Sequence, residues 1–344
     1  MAPLQHLILI LVAWLLCQAL PRRDSVHVLS AFGIVALLIY APVAGLVIAI
    51  TALEAALMVV LFSALPRKSN WRQYGAYLLL LNLFFVDFHH LALNMPVAIL
   101  GISFSAIRIF MTAKQLLSAR KEHDRSDLYW IFAAGFYLPA LVIGPVFSGL
   151  DLKAQYEKGA PEEVVLRDYR MLLLGLVLAM IVAVLMGNLA QLTTLRHSQL
   201  AAAPFYFLQL FCAFWGQSLI AEHSSRFFGY RLPVNFEAPW LARTPAEFWK
   251  RWHKSMANFV LQYIFLPLNL RGLSPKVATT GAFIFMGLWH NLSIGYFIWG
   301  LGHGLMLAFS PQELKGRAQQ VLMPVALWVS VIGLSYFANY GPYA

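Results

Sequence analysis

The chain has 344 residues, of which 60% are hydrophobic and only 12% are charged. Soluble globular proteins carry about 25% charged residues, so this composition excludes a soluble enzyme as well as a disordered chain. The apolar residues occur in long runs, which is typical of a polytopic membrane protein. The formal net charge of +10 requires no nucleic acid partner, because Lys and Arg collect in the cytoplasmic loops of membrane proteins.

The positions of the apolar runs predict how often the chain crosses the membrane. The runs fall at 4–20, 26–65, 75–86, 95–111, 128–150, 171–193, 201–221, 277–309 and 319–338. The second run is long enough for two crossings of about 20 residues each, with the bend expected near Pro42. Several other runs are short for a complete span. We therefore expect an all-α polytopic membrane protein with about nine to eleven transmembrane or re-entrant helices. The first run is interpreted as a retained span, because basic residues follow it and none precedes it.

The distribution of Lys and Arg predicts the orientation. Basic residues at 22–23, 67–72 and 114–125 share one side if each run crosses, which places that side in the cytoplasm and the N-terminus outside. The same alternation places the loop 151–170, with four basic and five acidic residues, outside. It would also place the strongly basic segment 222–276 outside, against the rule. A run at 201–220 that re-enters without crossing is the favoured explanation.

A capping box predicts a helix within this basic segment. Residues 244–247 supply Thr at the N-cap, Pro at the first helical position and Glu at the third. We expect the helix to run to about residue 259, with its basic face toward water or lipid phosphate. His253 would then lie at the edge of the apolar face, beside Trp249, and point inward. A histidine satisfied by a backbone carbonyl is the structural alternative.

Two histidines are conspicuous in the residues 277–312, which contain no Asp, Glu, Lys or Arg. His290 is predicted near the middle of a span, where an imidazole is costly and usually faces the protein interior or a wet cavity. It is therefore the principal candidate for a catalytic group, with a helix-to-helix hydrogen bond as the alternative. His303 lies among glycines that permit close helix contact or a helix break, so a packing role stays open beside a functional one: Gly300, Gly302 and Gly304.

The sequence contains few motifs for other kinds of catalytic or metal-binding site. Neither a phosphate-binding Walker A loop nor a Gly-x-Ser-x-Gly nucleophile elbow occurs. No metal site is predicted, since the residues 87–90 offer no third ligand and the two cysteines lie in apolar runs. Glu54, alone in an apolar run, is a candidate proton or ion site or a helix-to-helix hydrogen bond. A proton-coupled transporter using Glu54, His290 and His303 is therefore a competing function, although transporters often show two related halves and none is visible.

Two segments resemble the membrane-bound O-acyltransferase superfamily, in its bacterial branch related to alginate O-acetylation and teichoic-acid D-alanylation. The residues 229–240 and 247–255 are similar to that family's Pro-x-Asn-Phe stretch and its Phe-Trp-x-Arg-Trp-His-x-Ser block. The residues 287–290 and 299–304 are similar to its Gly-Leu-Trp-His-Gly block and its trailing Gly-Leu-x-His-Gly. The resemblance extends over residues 95–310.

The resemblance implies one membrane-embedded acyltransferase domain around a buried tunnel, with N-terminal spans at 1–94, a catalytic core at 95–310 and a C-terminal span at 311–344. It implies that His290 is the principal catalytic residue, acting as general base, and that His253 is the second. Further candidates line the site: His303, Trp249, Trp289, Asn291 and Tyr263.

The resemblance also implies a reaction. An acyl group, acetyl or D-alanyl-like, passes from a cytoplasmic thioester, either acyl-CoA or an acyl-carrier protein, to a hydroxyl of an extracytoplasmic envelope polysaccharide or of a partner acyltransferase. No bound cofactor and no metal is expected, and the location is the bacterial cytoplasmic (inner) membrane. Two departures bear on the acyl group and acceptor: Asn291 replaces the usual Gly, and Leu261-Gln262-Tyr263 replaces an Arg-Asp-Tyr. A catalytically idle scaffold of an envelope complex is the remaining alternative.

Overall fold

A computed structural model of the protein describes residues 3–66, 68–81, 99–119, 124–310 and 317–340. These described residues form α-helices joined by turns and short 3-10 and π segments, and they contain no β-strand. The predicted all-α fold is confirmed. The residues 87–90, considered above for metal binding, lie outside the described ranges. The chain divides into two compact units, Met1–Leu176 with Gly216–Pro233, and Val177–Trp215 with Val234–Ala344.

The first unit contains most of the N-terminal helices. They are α1 (Pro3–Cys17), α2 (Ser25–Tyr40), α3 (Pro42–Ser63), α4 (Asn70–Tyr74), α5 (Ile99–Ser118), α6 (Tyr129–Phe136), α7 (Gly149–Glu157) and α8 (Leu166–Leu176). The 26–65 run folds as the two helices α2 and α3, as predicted. Pro42 occupies the first position of α3, where its missing N–H leaves no helical hydrogen bond unmade.

The run 128–150 enters the first unit and turns back. α6 ends after eight residues, and a Cβ atom added to Gly149 would lie 2.0 Å from the carbonyl oxygen of Trp130. The end of the run at Gly149 therefore lies beside its beginning at Trp130, on the same side of the first unit. The prediction that this run crosses is wrong, because Pro139 and Pro145 interrupt a helix that length alone suggested.

This reversal places the loop 151–170 on the face that carries Arg22. The Arg22 guanidinium donates to the carbonyl oxygen of Glu162 at 3.3 Å. On the same face, the Tyr230 hydroxyl donates to the carbonyl oxygen of Arg23 at 2.5 Å. The predicted alternation put Arg22 and this loop on opposite sides of the membrane, and it is wrong at this point.

Buried side chains form hydrogen bonds with the non-helical backbone of the run 128–150, which we call the re-entrant segment. Arg108 of α5, fully buried, donates from Nη1 to the carbonyl oxygen of Ala140 at 2.8 Å and from Nη2 to Ser105 Oγ at 2.9 Å. His6 Nε2 of α1 donates to the carbonyl oxygen of Leu138 at 2.7 Å. Non-helical backbone at membrane depth requires such internal partners, so α1 and α5 explain how the segment is tolerated.

The second unit contains the C-terminal helices and part of α10. The elements are a π segment (Val177–Val182), α9 (Ala183–Arg196), α10 (Gln199–Arg226), α11 (Pro245–Arg251), α12 (Lys254–Val260), a second π segment (Leu261–Phe265), α13 (Leu266–Leu270), α14 (Pro275–His290), α15 (Ile294–Phe309) and α16 (Arg317–Tyr340). α10 is continuous over 28 residues, or about 42 Å, which exceeds the roughly 30 Å hydrocarbon core. The run 201–220 is therefore one continuous helix that does not turn back within itself, and its re-entrance stays a prediction. Among the described residues, three stretches are long and apolar enough to cross a membrane: Arg22–Tyr40, Pro42–Ser63 and Leu166–Arg196.

The uncharged stretch 277–309 folds as the helical hairpin α14–α15. Glycines allow the two backbones to touch, since a Cβ on Gly287 would lie 2.2 Å from a carbonyl oxygen of α15 and one on Gly300 2.4 Å from a carbonyl oxygen of α14. A Cβ on Gly304 would lie 2.8 Å from the Cα of Thr280. The close helix contact predicted from these glycines is confirmed.

Candidate active site

A break between two short helices positions His253. The predicted capping box is present, because Thr244 Oγ1 accepts a hydrogen bond from the Glu247 N–H at 3.2 Å and α11 begins at Pro245. The helix nevertheless ends at Arg251, so the prediction of one helix to residue 259 is wrong. His253 has φ +44° and ψ +52°, a left-handed conformation, and α12 starts at the next residue.

The break is held by a preceding extended segment that includes Asn235. The main-chain carbonyl of Asn235 accepts from the Lys254 N–H at 2.9 Å, and its Oδ1 accepts from Ser255 Oγ at 2.5 Å. The Glu237 N–H donates to the Arg251 carbonyl oxygen at 3.0 Å, and the Lys254 ammonium pairs with the Glu237 carboxylate. The Pro-x-Asn-Phe stretch and the histidine block therefore form one structural element, in which residues flanking His253 on both sides are fixed.

His253 is buried, with 5% of its surface exposed. Its ring meets Phe214 edge to face at a centroid distance of 4.6 Å. The preceding Trp252 stacks instead on Phe211 and Phe248, at centroid distances of 5.1 and 5.3 Å. The burial expected of His253 is present, but it results from the helix break and the flanking hydrogen bonds rather than from the face of a continuous helix.

His290 is the last residue of α14 and is exposed. The expected position, buried near the middle of a span, is wrong because Asn291 is extended and Ser293 caps α15 by accepting from the Tyr296 N–H at 3.3 Å. The His290 ring lies 5.4 Å from Trp299 and 5.6 Å from Tyr296, centroid to centroid. The ring of His290 therefore lies at a helix break, packed against Tyr296 and Trp299.

His303 of α15 is almost fully buried, with 1% of its surface exposed. Its ring lies 4.5 Å from that of Trp299 and 5.4 Å from that of Trp249. Within the described residues neither ring nitrogen has a hydrogen-bond partner. Trp299 therefore lies between an exposed histidine, His290, and a buried one, His303, and Trp249 packs on both Trp299 and His303.

His290 lies within electrostatic reach of both His253 and His303. These three residues are called the histidine cluster below.

Two further predicted site residues, Trp289 and Asn291, adjoin His290 in sequence, whereas Tyr263 lies on another element. Trp289 is buried beside His290, whereas Asn291 is exposed at the helix break. Tyr263 is buried in the second π segment and packs on Phe259 at 5.6 Å. π segments interrupt helices frequently at functional sites.

Sequence reasoning did not assign roles to Trp299 or Asn235. Trp299 contacts both His290 and His303, and Asn235 fixes the backbone beside His253. Both residues lie inside the sequence blocks that resemble the family. The blocks marked them as candidates, but the sequence does not show what they contact. Among the described residues, no group of three His, Cys, Asp or Glu side chains could hold a metal ion. Glu54 lies half-buried in α3 of the first unit.

Comparison with known proteins gives a consistent picture. The model of MBOAT, the membrane-bound O-acyltransferase family, matches residues 49–325, which include all three histidines. The chain is 26% identical over 196 residues to a peptidoglycan O-acetyltransferase of Helicobacter pylori, covering 52% of this chain and 36% of the relative. It is 33% identical over 127 residues to a Pseudomonas aeruginosa protein named "Probable alginate O-acetylase AlgI", covering 36% and 24%.

A third relative is matched over a longer region. The chain is 22% identical over 270 residues to a teichoic acid D-alanyltransferase of Bacillus subtilis, covering 72% of this chain and 67% of the relative. The first two alignments span about a third or less of the relatives' own lengths.

Proposed function

Because the chain belongs to the membrane-bound O-acyltransferase family, we propose that it transfers an acyl group from a thioester to a hydroxyl, with His290 as general base. The histidine cluster carries this proposal. His290 is exposed at the break between α14 and α15, while His253 and His303 are buried beside neighbouring aromatic rings. A general base must lie within hydrogen-bond reach of the proton that it removes, and His290 is the exposed ring of the three.

The reaction can be written with named groups. The acceptor hydroxyl attacks the thioester carbonyl carbon while a ring nitrogen of His290 takes its proton. The tetrahedral intermediate then collapses, the carbon–sulfur bond breaks, and the leaving thiolate takes the proton from the His290 imidazolium. A positioned base of this kind contributes about 10²–10⁴-fold in rate. His253 is assigned to positioning the thioester, stabilising the oxyanion or sharing the proton.

The names of the relatives support the choice of substrates. Two relatives named as a peptidoglycan O-acetyltransferase and a teichoic acid D-alanyltransferase favour an acetyl or D-alanyl-like group. The proposed carrier of this group is CoA or a carrier protein, as a thioester. The acceptor is a hydroxyl of an extracytoplasmic envelope polysaccharide or of a partner acyltransferase. Exposed basic residues in the segment 222–276, such as Arg243 and Arg271, would attract the phosphates of either donor.

The proposed setting is the bacterial cytoplasmic membrane. The first unit brings Arg22, Arg23 and Arg231 to one face, and that face is cytoplasmic if positive charges stay inside. A crossing by α1 then leaves the N-terminus outside. The protein is a multi-pass membrane enzyme, with one domain whose core at 95–310 surrounds a tunnel between donor and acceptor.

The test replaces His290 with Ala. Acyl esters on the envelope polymer are measured in cells that hold equal amounts of wild type or His290→Ala in the membrane. His197→Ala, which changes an exposed histidine at the end of α9, is the matched control. We expect a loss of at least 100-fold for His290→Ala and none for the control. Normal acylation by His290→Ala would rule out the general-base assignment.

A further inference from the structure

An apolar cavity of about 300 Å³ lies in the second unit, between α11, α12 with the following π segment, α14 and α15. Its lining is mostly small or aliphatic, with residues such as Ala257, Val260, Ala282 and Met286. No charged side chain other than Lys250 lines it. Its chemistry therefore fits a hydrocarbon chain.

The cavity reaches an apolar surface. Leu261, which lines it, is 47% exposed. Other large apolar side chains on the same helices are also exposed, at 55% for Val277, 43% for Leu305 and 66% for Phe309. In a membrane protein such a surface faces lipid, because exposed apolar side chains are stable in hydrocarbon. An acyl chain can thus enter the cavity directly from the bilayer.

Two neighbouring residues add polar contacts at the cavity. Lys250 is exposed and places an ammonium group there. Trp249, only 8% exposed, has an indole N–H with no hydrogen-bond partner among the described residues. A buried donor without an acceptor is unfavourable. A glycerophospholipid carries three matching features close together: an anionic phosphate, an ester carbonyl and an apolar chain.

We propose that this cavity binds one acyl chain of an anionic phospholipid, with the phosphate at Lys250 and the ester carbonyl as acceptor for the Trp249 indole N–H. A water-soluble thioester is a poorer occupant, because the cavity opens on an apolar surface and His290 does not line it. The cavity thus excludes the proposed general base but adjoins the histidine cluster, because Trp249 lines the cavity and packs on His303. Lipid binding would therefore contact the histidine cluster through this tryptophan.

The test measures bound lipid by native mass spectrometry of the purified protein. Phosphatidylglycerol and phosphatidylcholine with identical chains are offered in equal amounts. We expect wild type to retain phosphatidylglycerol preferentially. Lys250→Gln should reduce that preference about fivefold, and Ala257→Leu, which fills part of the cavity, should reduce retention of both lipids.

The control changes a second apolar groove instead. Gly333→Leu adds a side chain where Leu200, Pro204 and Trp328 form that groove, and nothing lies within 4 Å of the added Cβ. It should leave retention unchanged. Equal retention of the two lipids by wild type, or unchanged preference in Lys250→Gln, would overturn the proposal. Displacement of the lipid by acetyl-CoA would assign the cavity to the acyl donor and also overturn it. No outcome depends on acyl transfer, so the proposed function is tested separately.

Discussion

His253 combines a buried imidazole with a backbone conformation that most side chains avoid. A left-handed residue other than Gly costs roughly 1–3 kcal/mol and persists where its surroundings enforce it, often at functional sites. The hydrogen bonds of Asn235 to Lys254 and Ser255 provide that enforcement. The strain and the clamp together suggest that the position of this ring matters more than local stability.

Comparing two variants that lack the His253 imidazole separates its contribution to acyl transfer from the effect of its backbone conformation on stability. We expect His253→Ala to lose at least tenfold in acyl transfer, about 1.4 kcal/mol in barrier. His253→Gly should lose as much activity but unfold at a higher temperature than His253→Ala, because Gly adopts a positive φ freely. The measurements are turnover of a donor thioester by purified protein and thermal unfolding in detergent.

Lys254→Ala is the matched comparison for His253. Its side chain pairs with Glu237 at the surface, so its replacement should cost less activity. Any effect should appear in the donor concentration required and should shrink at high salt, since exposed charges are screened over about 10 Å at 0.1 M. Normal turnover by His253→Ala together with a defect in Lys254→Ala would contradict the assignment of His253 to the site.

The Asn235–Ser255 hydrogen bond should behave as a coupled pair. Both residues are buried, so Ser255→Ala or Asn235→Ala alone leaves a polar group without this partner, at a cost of roughly 1–3 kcal/mol. The double variant should cost less than the sum of the two single ones. Thermal and denaturant unfolding of the four proteins measures the coupling. Strict additivity would show that the clamp contributes nothing as a pair.

At the scale of elements, the ion pair between Glu237 and Lys254 joins the extended segment to α12. The hydrogen bond from the Lys254 ammonium, with its charge, holds the pKa of the Glu237 carboxyl below its ordinary value of 4.5. A carboxyl whose pKa is lowered on folding stabilises the fold above its unfolded pKa and loses that contribution as pH falls through the folded one. We therefore expect a small decrease in unfolding temperature below about pH 4.5, which Glu237→Gln should lack. An identical pH dependence in both proteins would show that the pair is energetically silent.

Arg108 should be required for the re-entrant segment. Arg108→Leu removes the donors to Ala140 and Ser105, and a carbonyl left unsatisfied costs roughly 1–3 kcal/mol. Arg108→Lys should rescue only in part, because one ammonium cannot reproduce the guanidinium fork. We expect Arg108→Leu to unfold at the lowest temperature and Arg108→Lys at a temperature between that of Arg108→Leu and that of wild type. Proteolysis within 137–148 should be faster in both variants. Wild-type stability for Arg108→Leu would mean that this segment is held by other contacts.

Local sequence signals predicted some elements well and others wrongly. The start of α11 at Thr244 and the hairpin at Pro42 follow from capping and proline chemistry, which act within a few residues. The break at His253 depends on Asn235, 18 positions earlier, and no local propensity reports it. The prediction for the run 128–150 was wrong for a similar reason. Its length matches a membrane span, and only its contacts with α1 and α5 show that it turns back.

At the scale of the molecule, one corrected element removes an apparent conflict in the charge distribution. When the run 128–150 turns back, the loop 151–170 joins the face of Arg22. Arg231 also lies on this face, where its N–H donates to Gln155 Oε1 at 2.7 Å. The beginning of the basic segment 222–276 then lies with the other positive clusters, as the positive-inside rule requires. No re-entrant run at 201–220 is needed.

This arrangement predicts which side of the membrane each connection occupies, and cysteine labelling can read it. Lys68→Cys, after α3, and Lys158→Cys, after α7, should resist a membrane-impermeant maleimide in spheroplasts and react in inverted vesicles. His197→Cys, at the far end of the apolar stretch Leu166–Arg196, should show the opposite pattern. The native Cys17 and Cys212 are buried, and wild type measures their background. Labelling of Lys158→Cys but not Lys68→Cys in spheroplasts would restore the crossing at 128–150 and contradict the re-entrant fold, whereas labelling of both would reverse the proposed orientation.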